Sequence, residues 1–351
     1  MSALILPLAF VNWSGGAVSK RENRVLAARP AISSAFKAPR DFIKQFDAWF
    51  ADNVGFRKKI IRLYGKLNNI SQGYYLDGAY IVLIGKRGHH FHVADGDTLR
   101  VYQGEHWLDE TQAYELSSRL QEIKRCLDGR NIPFIVMVCA DKESIYPEYY
   151  PDFVIRGPGP ASLDVVVEYL NEHTEVDLFC IKERLLQAKE DYLVFPKTGN
   201  IYELRHYNET GAFLAYQELM KHIGAYFPKL APFSIDDVNI EYQDNGSSSV
   251  SLRREVTYQR IEPRFFDDAL EFENMDSGLP TLLLLCDSYA DWFPNYLPQH
   301  FGRMIMHPWS GIEHFEEYLD LYKPDVIVFE VAERAITAFA NAMTKYHPEP
   351  Q

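Results

Sequence analysis

Residues 281–285 read Thr-Leu-Leu-Leu-Leu and stop abruptly at Cys286-Asp287-Ser288-Tyr289. Four successive leucines do not alternate as a half-exposed strand would, and the run is too short for a buried helix. It fits a strand covered on both faces, the kind found in parallel sheets flanked by helices. Residues 133–139 and 325–331 form two more such runs. Helical spacing over 116–126 and 163–170 supplies the strand–helix alternation of an α/β domain with a mostly parallel sheet. Ligands of such sheets bind outside the carboxyl ends of the strands. That rule puts Asp287, Ser288 and Tyr289 at a crevice, with Ser288 placed as a nucleophile, and brings Asp141 and Lys142 to the same edge. Lys142 is expected to help with charge on an acceptor.

A second segment supplies a base. His206-Tyr207-Asn208-Glu209-Thr210-Gly211 leads into residues 212–220, whose apolar spacing predicts a helix buried on one face. Asn208 or Thr210 can cap that helix, and Glu209 lies where its dipole favours a carboxylate. A serine at a strand end and a histidine just before a helix are the parts of a Ser-His pair.

These strings resemble the SGNH-hydrolase-like proteins of the alginate O-acetyltransferase family. The resemblance rests on His206-Tyr207-Asn208 with residues 211–217, on Ala140-Asp141-Lys142-Glu143-Ser144 with Ile145-Tyr146-Pro147-Glu148, and on Asp287-Ser288-Tyr289. Residues 47–57, residues 84–88, and Lys323-Pro324-Asp325-Val326 followed by Glu330 and Glu333-Arg334 extend it, in order, over most of 22–334. It implies an SGNH-hydrolase-like α/β/α sandwich in circularly permuted order, with the nucleophile strand late in the chain. It also implies acetyl transfer through a serine acyl-enzyme to hydroxyls of an extracytoplasmic polysaccharide, with no diffusible cofactor. The partners implied are the polysaccharide acceptor and a membrane-bound acyltransferase that supplies acetyl groups. Asp287 joins Ser288 and His206 as a catalytic candidate, and Asp141, Lys142, Asn208 and Tyr289 are candidates for substrate binding.

The chain departs from the family at the base. There the histidine lies in an Asp-Thr-His-Trp-Asn pattern whose aspartate orients the imidazole, whereas here Leu204, Arg205 and Tyr207 occupy the aspartate, threonine and tryptophan positions. The stretch before His206 is also lengthened by residues 199–205. A histidine without an orienting acceptor populates the wrong tautomer, and in a serine protease that costs about 10⁴ in rate. Glu203 is the nearest substitute carboxylate, ahead of Asp191 and Glu209. Arg205 beside the base should lower its pKa. Two further readings follow: a carbohydrate esterase on the same fold, and a catalytically impaired glycan-binding or assembly homologue.

With 351 residues and a formal net charge of -13, the chain is poorly suited to nucleic acid or an anionic membrane surface, both of which reward clustered Lys and Arg. A polyanionic glycan would be repelled unless its groove were locally basic. The four cysteines, Cys126, Cys139, Cys180 and Cys286, show no metal-ligand spacing; Cys139 and Cys286 end apolar runs and read as buried hydrophobes, while pairing of Cys126 with Cys180 stays open. His89, His90 and His92 follow the strand 80–84 and its turn at 85–88, but no acidic residue or cysteine completes a metal set.

Residues 3–11 are apolar yet too short to span a bilayer, which takes about 20 residues. They read either as the remnant of a membrane anchor or leader, consistent with a periplasmic location, or as a hydrophobic arm packed on the domain. The expected organisation is a leader-like segment over 1–21 and one α/β domain over 22–351. Within the latter, residues 41–64 should be helical with an interruption near Gly55.

Overall fold

The computed structural model describes residues 18–19, 24–25, 27–33, 35, 38–53, 73–77, 80–93, 97–276 and 278–346. The chain divides into two compact units, 1–74 and 75–351. In the first unit, the helix Pro39–Asn53 opens on a proline, whose missing N–H is no loss in a first turn. Phe46 packs on Phe42, Trp49 and Phe50 along one stripe of that helix. Residues 54–64, and the apolar stretch 3–11, lie outside the described residues.

The second unit carries the sheet. We number its strands β1 (Tyr80–Ile84), β2 (His90–Val93), β3 (Phe134–Cys139), β4 (Asp177–Cys180), β5 (Val238–Tyr242), β6 (Ser248–Leu252), β7 (Tyr258–Ile261), β8 (Leu270–Asn274), β9 (Thr281–Cys286), β10 (Arg303–Pro308) and β11 (Val326–Ala332). Seven form one sheet in the order β7-β8-β10-β9-β11-β3-β4. The five from β10 to β4 are parallel, and β8 and β7 add an antiparallel edge. The leucine strand β9 sits between β10 and β11, with Leu283 opposite both Ile305 and Ile327. Leu282 to Leu285 and every residue of β3 and β11 are buried, the reason all three strands read as continuous apolar runs.

The helices are α1 (Asp97–Tyr102), α2 (Glu110–Asp128), α3 (Lys142–Ile145), α4 (Ser162–His173), α5 (Lys182–Ala188), α6 (Ile201–Arg205), α7 (Glu209–Tyr226), α8 (Phe315–Tyr322) and α9 (Ile336–Met343). One group packs α7 on α5 and on β3; the other packs α9 on α2 and α2 on α4. The result is an α/β/α sandwich with the Ser288-bearing strand late in the chain. Short hairpins flank it: β5 and β6 pair antiparallel and β6 lies on α7, while β1 and β2 pair antiparallel and β2 lies against α6. Residues 243–247 link β5 to β6.

Because Leu284 is fully enclosed at the centre of the sheet, Leu284→Ala should cost about 2–5 kcal/mol. Met275 is 87% exposed on the turn after β8, so Met275→Ser should change stability by less than about 0.5 kcal/mol. Urea unfolding midpoints of the two variants compare them directly, and equal midpoints would contradict the placement of β9.

Candidate active site

The end of β9 passes through Asp287 into a 3-10 turn, Ser288–Asn295, that leaves Ser288 exposed at the carboxyl edge of the sheet. Asp287 shapes this corner. Its carboxylate accepts from the Tyr289 N–H at 2.9 Å and from the Ala332 N–H, at the end of β11, at 2.8 Å. Its own N–H donates to Glu330 Oε2 at 3.2 Å. Glu330 is completely buried, and burial raises its pKa well above the usual carboxylate range. The catalytic role expected for Asp287 is not matched by its contacts, since its carboxylate is turned to backbone N–H groups.

The base arrives on α6. Asn200 caps that helix by accepting from the N–H groups of Tyr202 and Glu203, and the Glu203 carboxylate accepts from the Asn200 N–H at 2.8 Å. The capping box turns the residues before His206 into one tight helical turn. His206 follows its last residue and reaches back: Nδ1 lies 2.7 Å from the Tyr202 carbonyl oxygen, and Nε2 lies 2.8 Å from Ser288 Oγ. A carbonyl can only accept, so Nδ1 carries the proton and Nε2 presents its lone pair to the serine hydroxyl. That is the tautomer a general base requires.

Burial holds the His206 pKa down at about 4. The Tyr202 carbonyl works against this, Arg334 lowers it further, Asp141 raises it and Arg205 lowers it again. At neutral pH the imidazole is therefore uncharged.

Glu203 is not the orienting acid. Its carboxylate faces Asn200, Asn245 Nδ2 at 3.4 Å and Ser247 Oγ at 3.2 Å, because a capping box draws the third helical side chain back to the helix start. Glu209 is tied by Asn295 and the Val250 N–H, and Asp191 is exposed on a turn. Leu204, at the position where the family's aspartate was expected, is buried. Tyr202 therefore supplies the acceptor through its backbone, a residue that reading for side-chain acids passes over. The Asn200-to-Glu203 spacing was the available signal, since it marks a helix start and places a carbonyl four residues before His206.

The Tyr202 side chain also ties the segments of His206 and Ser288 together. Its hydroxyl donates to the Asp291 carboxylate, on the turn of Ser288, at 2.6 Å, and its ring lies 4.3 Å from the imidazole.

The other expected site residues form the wall behind the pair. Tyr289 is buried; its hydroxyl donates to Asp141 at 2.6 Å, and its carbonyl accepts from the Tyr207 hydroxyl at 2.7 Å. Asp141 also pairs with the Arg334 guanidinium and accepts from the Arg334 N–H. Arg334 in turn donates to the Arg205 carbonyl at 2.6 Å and lies over the Tyr289 ring, so it braces the end of α6 against the nucleophile turn. Arg334 had not been singled out as a site residue.

Lys142 and Asn208 are turned elsewhere. The Lys142 ammonium is buried and donates to the His90 carbonyl at 2.7 Å and to the carbonyls of Pro196 and Lys197, pinning β2 to the segment that leads into α6. Asn208 accepts from the Gly211 N–H to cap α7 and donates to the carbonyls of Leu193 and Gly246, which leaves its amide no free donor for a substrate. Gly211 is required at that cap, because a Cβ there would stand 2.5 Å from the Val194 carbonyl oxygen. Among the described residues no cluster of His, Cys, Asp and Glu has the geometry of a metal site, and the four cysteines are free thiols.

No protein-family profile and no curated protein sequence matches the chain. Solved structures do. PatB1 of Bacillus cereus, solved with a sulfonyl adduct, is 14% identical over 73% of this chain and 97% of its own, with a TM-score of 0.54. A DHHW family protein from Eubacterium siraeum is 11% identical over 79% of this chain and 98% of its own, with a TM-score of 0.55. The O-acetyltransferase domain of Pseudomonas putida AlgJ aligns over 76% of this chain at 14% identity, with a TM-score of 0.47. The likeness to the first two is one of fold, and it matches the SGNH-like α/β/α architecture that the sequence strings implied.

Two outcomes follow from this geometry. Modification of Ser288 by a sulfonyl fluoride should stay near its maximal rate down to about pH 5 and fall to half near pH 4, because the base loses its lone pair only below its depressed pKa. Half-loss near pH 6.5, the ordinary histidine value, would contradict the buried, carbonyl-bound imidazole. Glu203→Gln should leave that pH profile in place and cost little stability, because the glutamine carbonyl oxygen can accept the same Asn200 N–H; a shifted profile would restore Glu203 as the orienting acid.

Proposed function

We propose that the protein is an O-acetyltransferase that carries an acetyl group on Ser288 and passes it to a hydroxyl of a polysaccharide. The observation that carries this reading is the 2.8 Å contact between Ser288 Oγ and His206 Nε2, with the ring tautomer set by the Tyr202 carbonyl. In the first step Oγ bonds to the acetyl carbonyl carbon while its proton moves to Nε2. The tetrahedral intermediate then collapses, and the donor's leaving group departs with that proton. In the second step a sugar hydroxyl attacks the acetyl-serine, His206 takes its proton, and Ser288 leaves and regains the proton. Ser288 opens the 3-10 turn, where the first N–H groups have no partner within the turn, so its N–H is the nearest candidate donor for the oxyanion. The Tyr289 N–H is already engaged by Asp287.

The neutral acceptor at Nδ1 sets the rate expected. A carbonyl selects the tautomer as well as a carboxylate does, but it carries no full negative charge to stabilise the imidazolium that forms as Ser288 attacks. Activity should therefore be present and modest. The same feature favours the second reading, a glycan-binding or assembly homologue in which acyl transfer has lapsed; an esterase would differ only in admitting water at the second step. Under the first reading the protein works outside the cytoplasm and takes its acetyl groups from a membrane-bound acyltransferase.

Incubation with an acetylated chromogenic ester, followed by intact mass measurement, tests the proposal. The expected result is a single acetyl adduct, absent in Ser288→Ala and in His206→Ala, whose decay is accelerated by added oligosaccharide. A folded protein with no adduct would favour the binding homologue, and decay insensitive to oligosaccharide would favour the esterase.

A further inference from the structure

Beyond Asp141 and Arg334 along the same carboxyl edge, a cavity of about 230 Å³ lies between α1, the loop 156–161, α5 and the ends of β3 and β11. This is below the roughly 300–1,000 Å³ of pockets for drug-sized ligands, so it suits one small ring. Tyr102 and Trp107 give it aromatic faces, and Glu143, Ser144 and Glu333 give it polar ones. Thr98 also lines it: this threonine is 7% exposed, and its Oγ1 has no hydrogen-bond partner among the described residues. An orphaned buried hydroxyl is costly unless something fills the space beside it.

The carboxyl groups differ in what they already hold. Glu333 accepts from the Asp141 N–H, the Ser144 hydroxyl and the Trp107 indole N–H. No other described residue donates to Glu143. Burial and the neighbouring Asp141 raise both carboxyls above the usual carboxylate range. The cations that line the cavity do not offset this fully, since Lys182 is held by both oxygens of Asp164 and Arg156 is exposed.

A carboxyl with a raised pKa offers a donor when protonated and acceptors when ionised. A ligand hydroxyl can answer both. A carboxylate can only accept, so it answers the protonated state alone; an ammonium can only donate, so it answers the ionised state alone. Aromatic faces beside hydroxyl-matching groups complete the chemistry that receives an uncharged sugar ring.

We infer that this cavity is a subsite for one uncharged sugar residue of the acceptor, and that it discriminates against uronate residues. The inference rests on the acyltransferase reading for the word acceptor, but its test does not use acetyl transfer. Saturation-transfer NMR on the intact protein, without donor, compares the methyl glycosides of glucose, galactose and mannose with methyl glucuronide. At least one neutral glycoside should bind, and at least tenfold more tightly than the glucuronide. Glu143→Gln and the near-isosteric Thr98→Val should each weaken it by tenfold or more, with melting curves showing that both variants fold.

Equal binding of the glucuronide, no binding of any neutral glycoside, or unchanged affinity in both folded variants would overturn the subsite. If Ser288 of the wild-type protein takes the acetyl group but no glycoside binds, only the subsite falls. If a glycoside binds and Ser288 takes no acetyl group, only the acyltransferase reading falls.

Discussion

The hydrogen bond from His206 to the Tyr202 carbonyl is the interaction on which the candidate site depends. It decides which ring nitrogen faces Ser288, and it does so without an acid. A Ser-His pair does not need a carboxylate to select its tautomer; any acceptor fixed at Nδ1 will serve. What a carboxylate adds is charge stabilisation during the reaction. This chain keeps the geometry and gives up part of the electrostatics.

Holding a backbone carbonyl in that place requires a rigid turn, and the rigidity has identifiable sources. Asn200 and Glu203 close the start of α6, Arg334 grips its last carbonyl, and the Tyr202 hydroxyl reaches across to Asp291 on the nucleophile turn. Asp141 is buried, Arg334 is half-buried, the two are paired directly, and Tyr289 touches both. Removing one member of such a pair leaves the other's charge uncompensated. Residues that sequence reading assigned to substrate thus hold the frame in which the base and nucleophile meet.

The sheet was legible because burial on both faces leaves an unmistakable record in composition. The runs 133–139, 281–285 and 325–331 became β3, β9 and β11, side by side at its centre. The helices over 116–126, 163–170 and 212–220 were legible from their apolar stripes. The edge strands β7 and β8 and the short helix α6 were not: they carry mixed polar residues, and the alternation in β8 runs only from Leu270 to Glu273. Lys142 was misplaced for a related reason. Position at a strand's end says which edge a residue occupies, whereas the direction of a long side chain is set by the carbonyls it can satisfy, and those belong to residues some 50 positions away in the chain.

By itself the sequence determined the class of fold, the edge where chemistry can occur, and the pairing of Ser288 with His206 as candidates, because apolar periodicity and strand ends are local properties. It also showed that Leu204, not an acid, stands two residues before the histidine. Only the tertiary structure decided what stands in its place, since a backbone carbonyl has no letter in a sequence and becomes an acceptor only when the chain is folded around it. The cavity beside Asp141 and Arg334 has the same origin. Thr98, Glu143 and Glu333 are far apart along the chain, and they share one space only because α1, α3 and the end of β11 meet at one edge of the sheet.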